Sequence, residues 1–448
     1  MMEVVIIGAG ISGLVLSITL SRYRNVKITV FEQAAALENV GNGLQIPCNA
    51  VHTMRCLGML DKLRAHVQHA ATSFKSLAYA DGKELLDRNL HVYEELYGAP
   101  WLVMHRADYM RLLLDEARQA GVIVKSGCEV RQVDFSAPSV TLASGDIHKA
   151  DVVVGSDGVH SRTRSLMHPS VRAIPTGEYA YRALFERRQI SSSPSLQRIA
   201  SNCGVLRMWL GPEVNAVLYP LQDGNTVNLV IAIYDTAFNA SCGRHEESVL
   251  DAVTDRLRGW DPLLLEILGE ADQLVRYPLY HLQALPSWSR GSVTLVGDAA
   301  HAMAPHLGQG AAASVEDGFV LGTLLGRWAQ HHMENNPPSR QQQIQALLRS
   351  YENVQRERTT RIASHSRWTA TLDHLPPGPD QRARDAEFAA YTRDDPDACV
   401  SAMPWIDAKW NRELLGRKVD EETDREFQRF LHRRQCDAPP CTGRGGEK

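Results

Sequence analysis

The sequence has little of what marks a nucleic-acid surface, a membrane span or a disulfide-stapled fold. Lysine and arginine total 48 against 52 acidic residues, a net charge of −4, and aromatics make up only 7%. No basic, aromatic-studded face for nucleic acid is therefore expected. No stretch approaches the roughly 18 uninterrupted apolar residues of a membrane-spanning helix. The eight cysteines are Cys48, Cys56, Cys128, Cys203, Cys242, Cys399, Cys436 and Cys441. They show no CxxC pair and no zinc-like histidine spacing, so they read as free thiols of a reducing compartment, with no metal site. The apolar start from Val4 to Leu20 lacks a basic flank and a cleavage signal, so it does not read as a signal peptide. A cytoplasmic protein is expected, monomeric or homodimeric. Apolar residues make up 44% of 448, enough for two or three domains with a large core.

Two segments carry the chemistry. The first is an apolar run at 3–7, then Gly8-Ala9-Gly10-Ile11-Ser12-Gly13, a helical run from Leu14 to Leu20, and a β-rich run from Val26 to Phe31 ending in Glu32. This is the dinucleotide fingerprint in its strand–loop–helix–strand context, with an acid about 20 residues on to hold a ribose hydroxyl. It does not by itself separate NAD from FAD. The second runs from Gly297 to Asp317, between an apolar strand (293–296) and an apolar helix (315–325). Asp298 can accept hydrogen bonds from sugar-alcohol hydroxyls. Gly308 and Gly310 let backbone N–H groups approach a flat ligand, and the helix start suits a group that becomes anionic on reduction.

The pattern along the chain predicts an α/β protein with a Rossmann-like nucleotide-binding domain, an inserted antiparallel sheet and C-terminal helices. The first part of the nucleotide domain is placed at 1–175, where strand and helix patterns alternate. A substrate domain is placed at 176–285, with period-two strands at 179–185, 205–210, 215–219 and 226–234 and helices at 246–258 and 262–269. The nucleotide domain resumes at 286–335, and a helical region follows at 336–435. Within it, Ile344, Leu347, Leu348, Tyr351 and Val354 form a 3.6-residue stripe that suits packing or a dimer contact. The tail at 436–448 is expected to be disordered.

Together these motifs resemble the group A FAD-dependent monooxygenases, the single-component aromatic hydroxylases, including salicylate hydroxylase-like and fungal natural-product enzymes. The resemblance covers most of residues 3–330. It implies that Gly8, Gly10, Gly13 and Glu32 hold the adenosine side of FAD, and that Gly43 and Gln45, in the loop at 41–50, lie near the ribityl and ring. Arg106 contacts the ribityl–phosphate region, Val130 meets adenine through its backbone, and Asp157 belongs to a turn that serves FAD and NAD(P)H. Asp298, Pro305, Gly308, Gly310 and Ala311 surround the ribityl chain and reactive edge. His301 is assigned no chemistry. The implied activity uses NADPH or NADH and O₂, through a C4a-hydroperoxyflavin, to hydroxylate an aromatic, polycyclic or other electron-rich ring, with secondary metabolism the setting that the fungal resemblance suggests. A non-oxygenating flavin oxidoreductase, or a monooxygenase doing epoxidation or decarboxylative hydroxylation, is the alternative.

At the substrate end the family's histidine position holds Asn215, which shares a strand face with Val217 and Tyr219. An amide cannot act as a base near neutral pH, so Asn215 is expected to contact substrate and Tyr219 to act in catalysis. Arg182 shares its strand face with Ala180 and Leu184, an odd place for a cation unless an anion meets it. It is the second catalytic candidate, against a salt bridge to Glu178 or Glu186.

Overall fold

The computed structural model describes residues 1–36, 43–67, 69–241, 246–331 and 337–437. Gly41 and Asn42 of the loop at 41–50, and the tail beyond Asp437, lie outside the described residues. The last helix, Val419–Asp437, runs across the expected start of the tail at 436.

Six strands form the nucleotide sheet, in the order Ser289–Arg290, Val293–Leu295, Val152–Gly155, Met2–Ile7, Val26–Phe31 and Ile123–Lys125. All pair in parallel except the Ser289–Arg290 edge. Valine, isoleucine and leucine dominate these strands because both faces are covered, one by helices and the other by a small antiparallel sheet that sets His148 against Phe31, ring centres 4.7 Å apart. The helix Ile11–Ser21 is buried along nearly its whole length and lies against the helix Gly310–His331. A three-stranded antiparallel sheet, Val130–Asp134, Ser139–Leu142 and Ile147–Lys149, stands beside it.

The second large sheet has seven strands, in the order Val275–His281, Ile174–Glu186, Thr226–Ile233, Val214–Leu221, Val205–Gly211, Ser73–Ala78 and Glu84–Asn89. It is antiparallel except where Val205–Gly211 runs parallel to Ser73–Ala78. The last two strands come from within 1–175, so that stretch is not purely part of the nucleotide sheet. Period-two alternation divides the sheet cleanly. Tyr181, Ala183, Phe185, Trp209, Leu218 and Leu229 pack against the helices Pro194–Ala200 and Pro262–Gly269. Arg182, Asn215, Val217 and Tyr219 face the other way, into a cavity.

The predicted stripe lies on one long helix, Pro337–Asp373. Ile344, Leu347, Leu348 and Tyr351 are all buried inside the chain, so the stripe packs the core. Glu316 anchors this region. Fully buried, it accepts from Asn49 Nδ2 (2.8 Å), Arg358 Nε (2.8 Å) and Arg417 Nη1 (2.6 Å). Burial pushes its carboxyl up, but the two guanidinium groups hold it at about 2. Cys48, Cys56, Cys128, Cys203 and Cys399 are free thiols. No helix among the described residues is long and apolar enough to cross a membrane.

Candidate active site

A cavity of about 390 Å³ runs from the Gly8–Gly13 loop to the open face of the seven-stranded sheet. The loop rests on the end of the strand Val152–Gly155. Gly8 has φ 100°, and a Cβ there would come within 2.6 Å of the Ser156 carbonyl oxygen. A Cβ on Gly13 would come within 2.6 Å of Ser156 Oγ. Gly10 differs. It lines the cavity, and the nearest atom to an added Cβ is 4.0 Å away, which leaves room for a ligand. The helix that follows has no side-chain cap, so its first N–H groups are free for an anionic group such as a diphosphate. Glu32 closes the loop by accepting from Ala9 N (2.8 Å) and Ala34 N (2.9 Å).

On the opposite wall, Asp298 is exposed in the cavity and its carboxylate accepts no hydrogen bond among the described residues. Its turn is held by Asp317, which is fully buried and accepts from Gly297 N (2.7 Å), His301 Nε2 (2.6 Å) and Gln355 Nε2 (2.6 Å). His301 is therefore a buried brace absent from the cavity wall. Burial opposes its charge, but the Asp317 carboxylate raises it overall. Gly43, Gln45, Arg106, Pro305, Gly308, Gly310 and Ala311 all line the cavity. Gln45 Oε1 and Arg182 Nε are buried there without a hydrogen-bond partner, as groups awaiting a ligand would be.

Other expected contacts lie off this wall. Gly8, Gly13 and Glu32 shape the loop from behind it, and Val130 sits in the small three-stranded sheet. Asp157 is already engaged within the protein. It accepts from Ser161 Oγ (2.5 Å), Thr163 N (2.9 Å) and Thr163 Oγ1 (2.9 Å), and only its neighbours Ser156 and Gly158 reach the cavity. Arg164, also buried, donates to the carbonyls of Val159 (2.6 Å) and Ala299 (3.1 Å), tying that turn to the Asp298 turn.

At the far end, Arg182, Asn215 and Tyr219 share the wall with Met208, Val217, Met303 and Trp405. Arg182 has no salt bridge to Glu178 or Glu186. Glu178 pairs with histidines, and Glu186 caps the helix Arg187–Ser192. The Arg182 guanidinium lies 5.3 Å from the Tyr277 ring centre. Burial lowers its affinity for the proton, Tyr219 counters this, and Arg106 adds to the lowering. Burial likewise pushes the Tyr219 phenol up, partly offset by Arg182, so Tyr219 stays a neutral donor at physiological pH.

A family model described as an FAD binding domain matches residues 1–363. The chain belongs to this FAD-binding family. The FAD-dependent monooxygenase OpS4 of Beauveria bassiana is 32% identical over 90% of this flavoprotein and 94% of OpS4. The 3-amino-4-hydroxybenzoate 2-monooxygenase PtmB3 of Streptomyces platensis is 29% identical over 88% and 94% of the two chains. A solved salicylate hydroxylase substrate complex superposes with a TM-score of 0.72 at 24% identity, over 95% and 98% of the two chains. The cradle built by Gly10, the uncapped helix start, Asp298 and Gln45 fits FAD.

One part of the flavoprotein's site had no signature in the sequence. Against Asn215 lies a buried group of His374, Glu178, His306 and Asp373, of which His306 also reaches the cavity. Asn215 Nδ2 is 2.9 Å from His374 Nε2, and His374 Nδ1 is 3.4 Å from Glu178 Oε1. His306 Nε2 meets Glu178 at 3.1 Å and its Nδ1 meets Asp373 at 3.4 Å. Only His306, beside Pro305 in the 297–317 run, was open to notice. The others are lone polar residues on a strand and a helix end, joined only by the fold. Elsewhere, ligand atoms of His52, Cys56 and Asp420 lie within 4.8 Å of one another. None lines the cavity, burial pushes the Cys56 thiol up to about 11, and a His52–Asp420 contact at 3.0 Å accounts for their proximity.

Proposed function

We propose that this flavoprotein hydroxylates an aromatic ring bearing polar substituents, consuming a reduced nicotinamide and O₂. The balance is ring–H + NAD(P)H + H⁺ + O₂ giving ring–OH + NAD(P)⁺ + H₂O. The observation that carries this reading is the single cavity in which the Gly10–Asp298 cradle adjoins a mostly apolar space with Arg182, Asn215 and Tyr219 on one wall. The cofactor's contribution when bound is to accept the nicotinamide hydride and activate O₂. With a single dinucleotide fingerprint, NAD(P)H is expected to visit transiently.

The chain's own residues bind and orient. Arg182, half-buried and without a carboxylate partner, suits a substrate anion or the charge that develops during oxygen transfer, since a guanidinium drawn out of water without an anion is costly. Tyr219 supplies an O–H donor, and Met208, Val217, Met303 and Trp405 hold the ring away from water. The 3-amino-4-hydroxybenzoate and salicylate of the relatives' names are rings of this kind.

The test is NAD(P)H oxidation, O₂ uptake and product analysis across phenols, salicylates and indoles. Ring-stimulated NAD(P)H oxidation with a product one oxygen heavier is expected. Nicotinamide oxidation with no oxygenated product from any ring would favour a non-oxygenating flavin reductase instead.

A further inference from the structure

Asn215 stands where a base would be expected, and its partner His374 closes the long helix Pro337–Asp373 from behind the cavity wall. His374 Nδ1 lies 3.4 Å from Glu178 Oε1, a charge contact outside hydrogen-bond geometry, and the backbone at Ala370, one helical turn back, also favours a proton on this ring. The Glu178 carboxylate on the Nδ1 side draws the ring proton to Nδ1, which leaves Nε2 its lone pair. A second proton is opposed by burial and by the nearby His306, which together hold His374 at about 4. His306 takes the charge instead. Although burial opposes it, Asp373 and Glu178 raise it to about 9.

A nitrogen with only a lone pair can receive only a donor. Asn215 must then turn its NH₂ to His374 and its carbonyl oxygen the other way, into the cavity it lines. That oxygen accepts no hydrogen bond among the described residues.

We propose that His374 is a positioning residue that fixes Asn215 as a hydrogen-bond acceptor, so that the site takes a ring hydroxyl or amine in its protonated, donating form. This rests on the aromatic-hydroxylase reading and deepens it. A phenolate would set its oxygen lone pairs against those of Asn215 and be disfavoured, whereas a neutral phenol or arylamine donates to it. The site thus selects substrate by protonation state, and His306, the histidine on its wall, is held charged by Asp373 and Glu178 and cannot take the ring's proton.

Two measurements test this. In protein labelled with ¹⁵N-histidine, the His374 signals are assigned by their loss in His374→Gln. A neutral ring with an unprotonated Nε2 is expected at pH 7, and an imidazolium or an Nε2–H tautomer would overturn the proposal. In FAD-loaded protein, flavin absorbance titrations compare 3-hydroxybenzoate with 3-methoxybenzoate. The hydroxyl compound is expected to bind roughly tenfold more tightly. Asn215→Leu should equalise the two, His374→Leu should shrink the gap, and His374→Gln, which can still accept from the amide, should restore it. A gap that survives Asn215→Leu, or equal binding in the parent protein, refutes the proposal. Equal weakening of both ligands in His374→Leu would reduce His374 to a packing role. If neither these ligands nor the wider phenol, salicylate and indole panel perturbs the flavin, the hydroxylase reading fails, and the tautomer result still decides the role of His374.

Discussion

Gly10 and Gly13 lie three residues apart in one loop, yet an added methyl meets open space at the first and Ser156 Oγ at 2.6 Å at the second. Gly10→Ala should therefore keep its melting temperature in the flavin-free form and lose FAD. Gly13→Ala should lose about 1–3 kcal/mol of stability as well, both read by thermal melts with and without flavin. Asp298→Ala removes charged acceptors and should weaken FAD retention by about 1.5–3 kcal/mol, measured by flavin fluorescence on dialysis. Arg182→Gln keeps hydrogen bonding but removes the charge. Turnover should fall about tenfold or more, the scale of about 1.4 kcal/mol, with FAD content unchanged; undiminished turnover would leave Arg182 a structural role only. At this scale the sequence was most legible where a local backbone demand fixes the residue type. Gly8 and Gly13 are such cases. Asp157 shows the limit, because an Asp–Gly turn looks the same whether its carboxylate meets a ligand or, as here, the N–H and hydroxyl of Thr163.

His306 and His374 belong to different elements, a loop turn and a helix end, and they titrate in opposite directions. His306 is raised from 6.5 to about 9, so its contribution is in place below about pH 6.5 and is lost as pH rises through 9. His374 is lowered from 6.5 to about 4. Between those values the unfolded chain binds more protons than the folded one, so stability grows with pH across that window. Melting temperatures from pH 4 to 10 should show His306→Gln flattening the alkaline limb relative to the parent, and His374→Gln flattening the acid limb. Unchanged limbs in both variants would remove these histidines from the titration. Elements with strong periodicity were readable in advance, such as the helix Pro262–Gly269, capped by Asp261 (3.0 Å to Leu263 N). The strands Ser73–Ala78 and Glu84–Asn89 were not. The first of them takes its partner from Val205–Gly211, far along the chain, and local pattern carries no trace of such pairing.

Over the whole molecule, the region beyond residue 336 is more than scaffolding. It supplies Trp405 to the cavity wall and His374 behind it, and Arg358 and Arg417 to the buried Glu316. Glu316→Leu would leave two buried guanidinium groups without their shared carboxylate. A loss of about 3–5 kcal/mol in urea unfolding is expected, and a change under about 1 kcal/mol would mean that the arginines find other partners. The nucleotide fold and its cofactor were legible because their motifs are contiguous. The cluster around Glu178 was not, because it is assembled from three distant segments.

The pairing of Val153 with Val293 has a consequence for the newborn chain. The strand that flanks the first nucleotide loop must wait for a partner made about 140 residues later, and at ribosomal speeds of about 5–20 residues per second that wait is on the order of ten seconds. Throughout it, one apolar edge is open to wrong partners. Asp298 and Gly310 emerge only at the close of the same interval, so flavin cannot bridge both halves of its cradle before then. Slowed translation between residues 156 and 292 should accordingly lengthen the exposure and lower soluble yield, and added riboflavin should not rescue it.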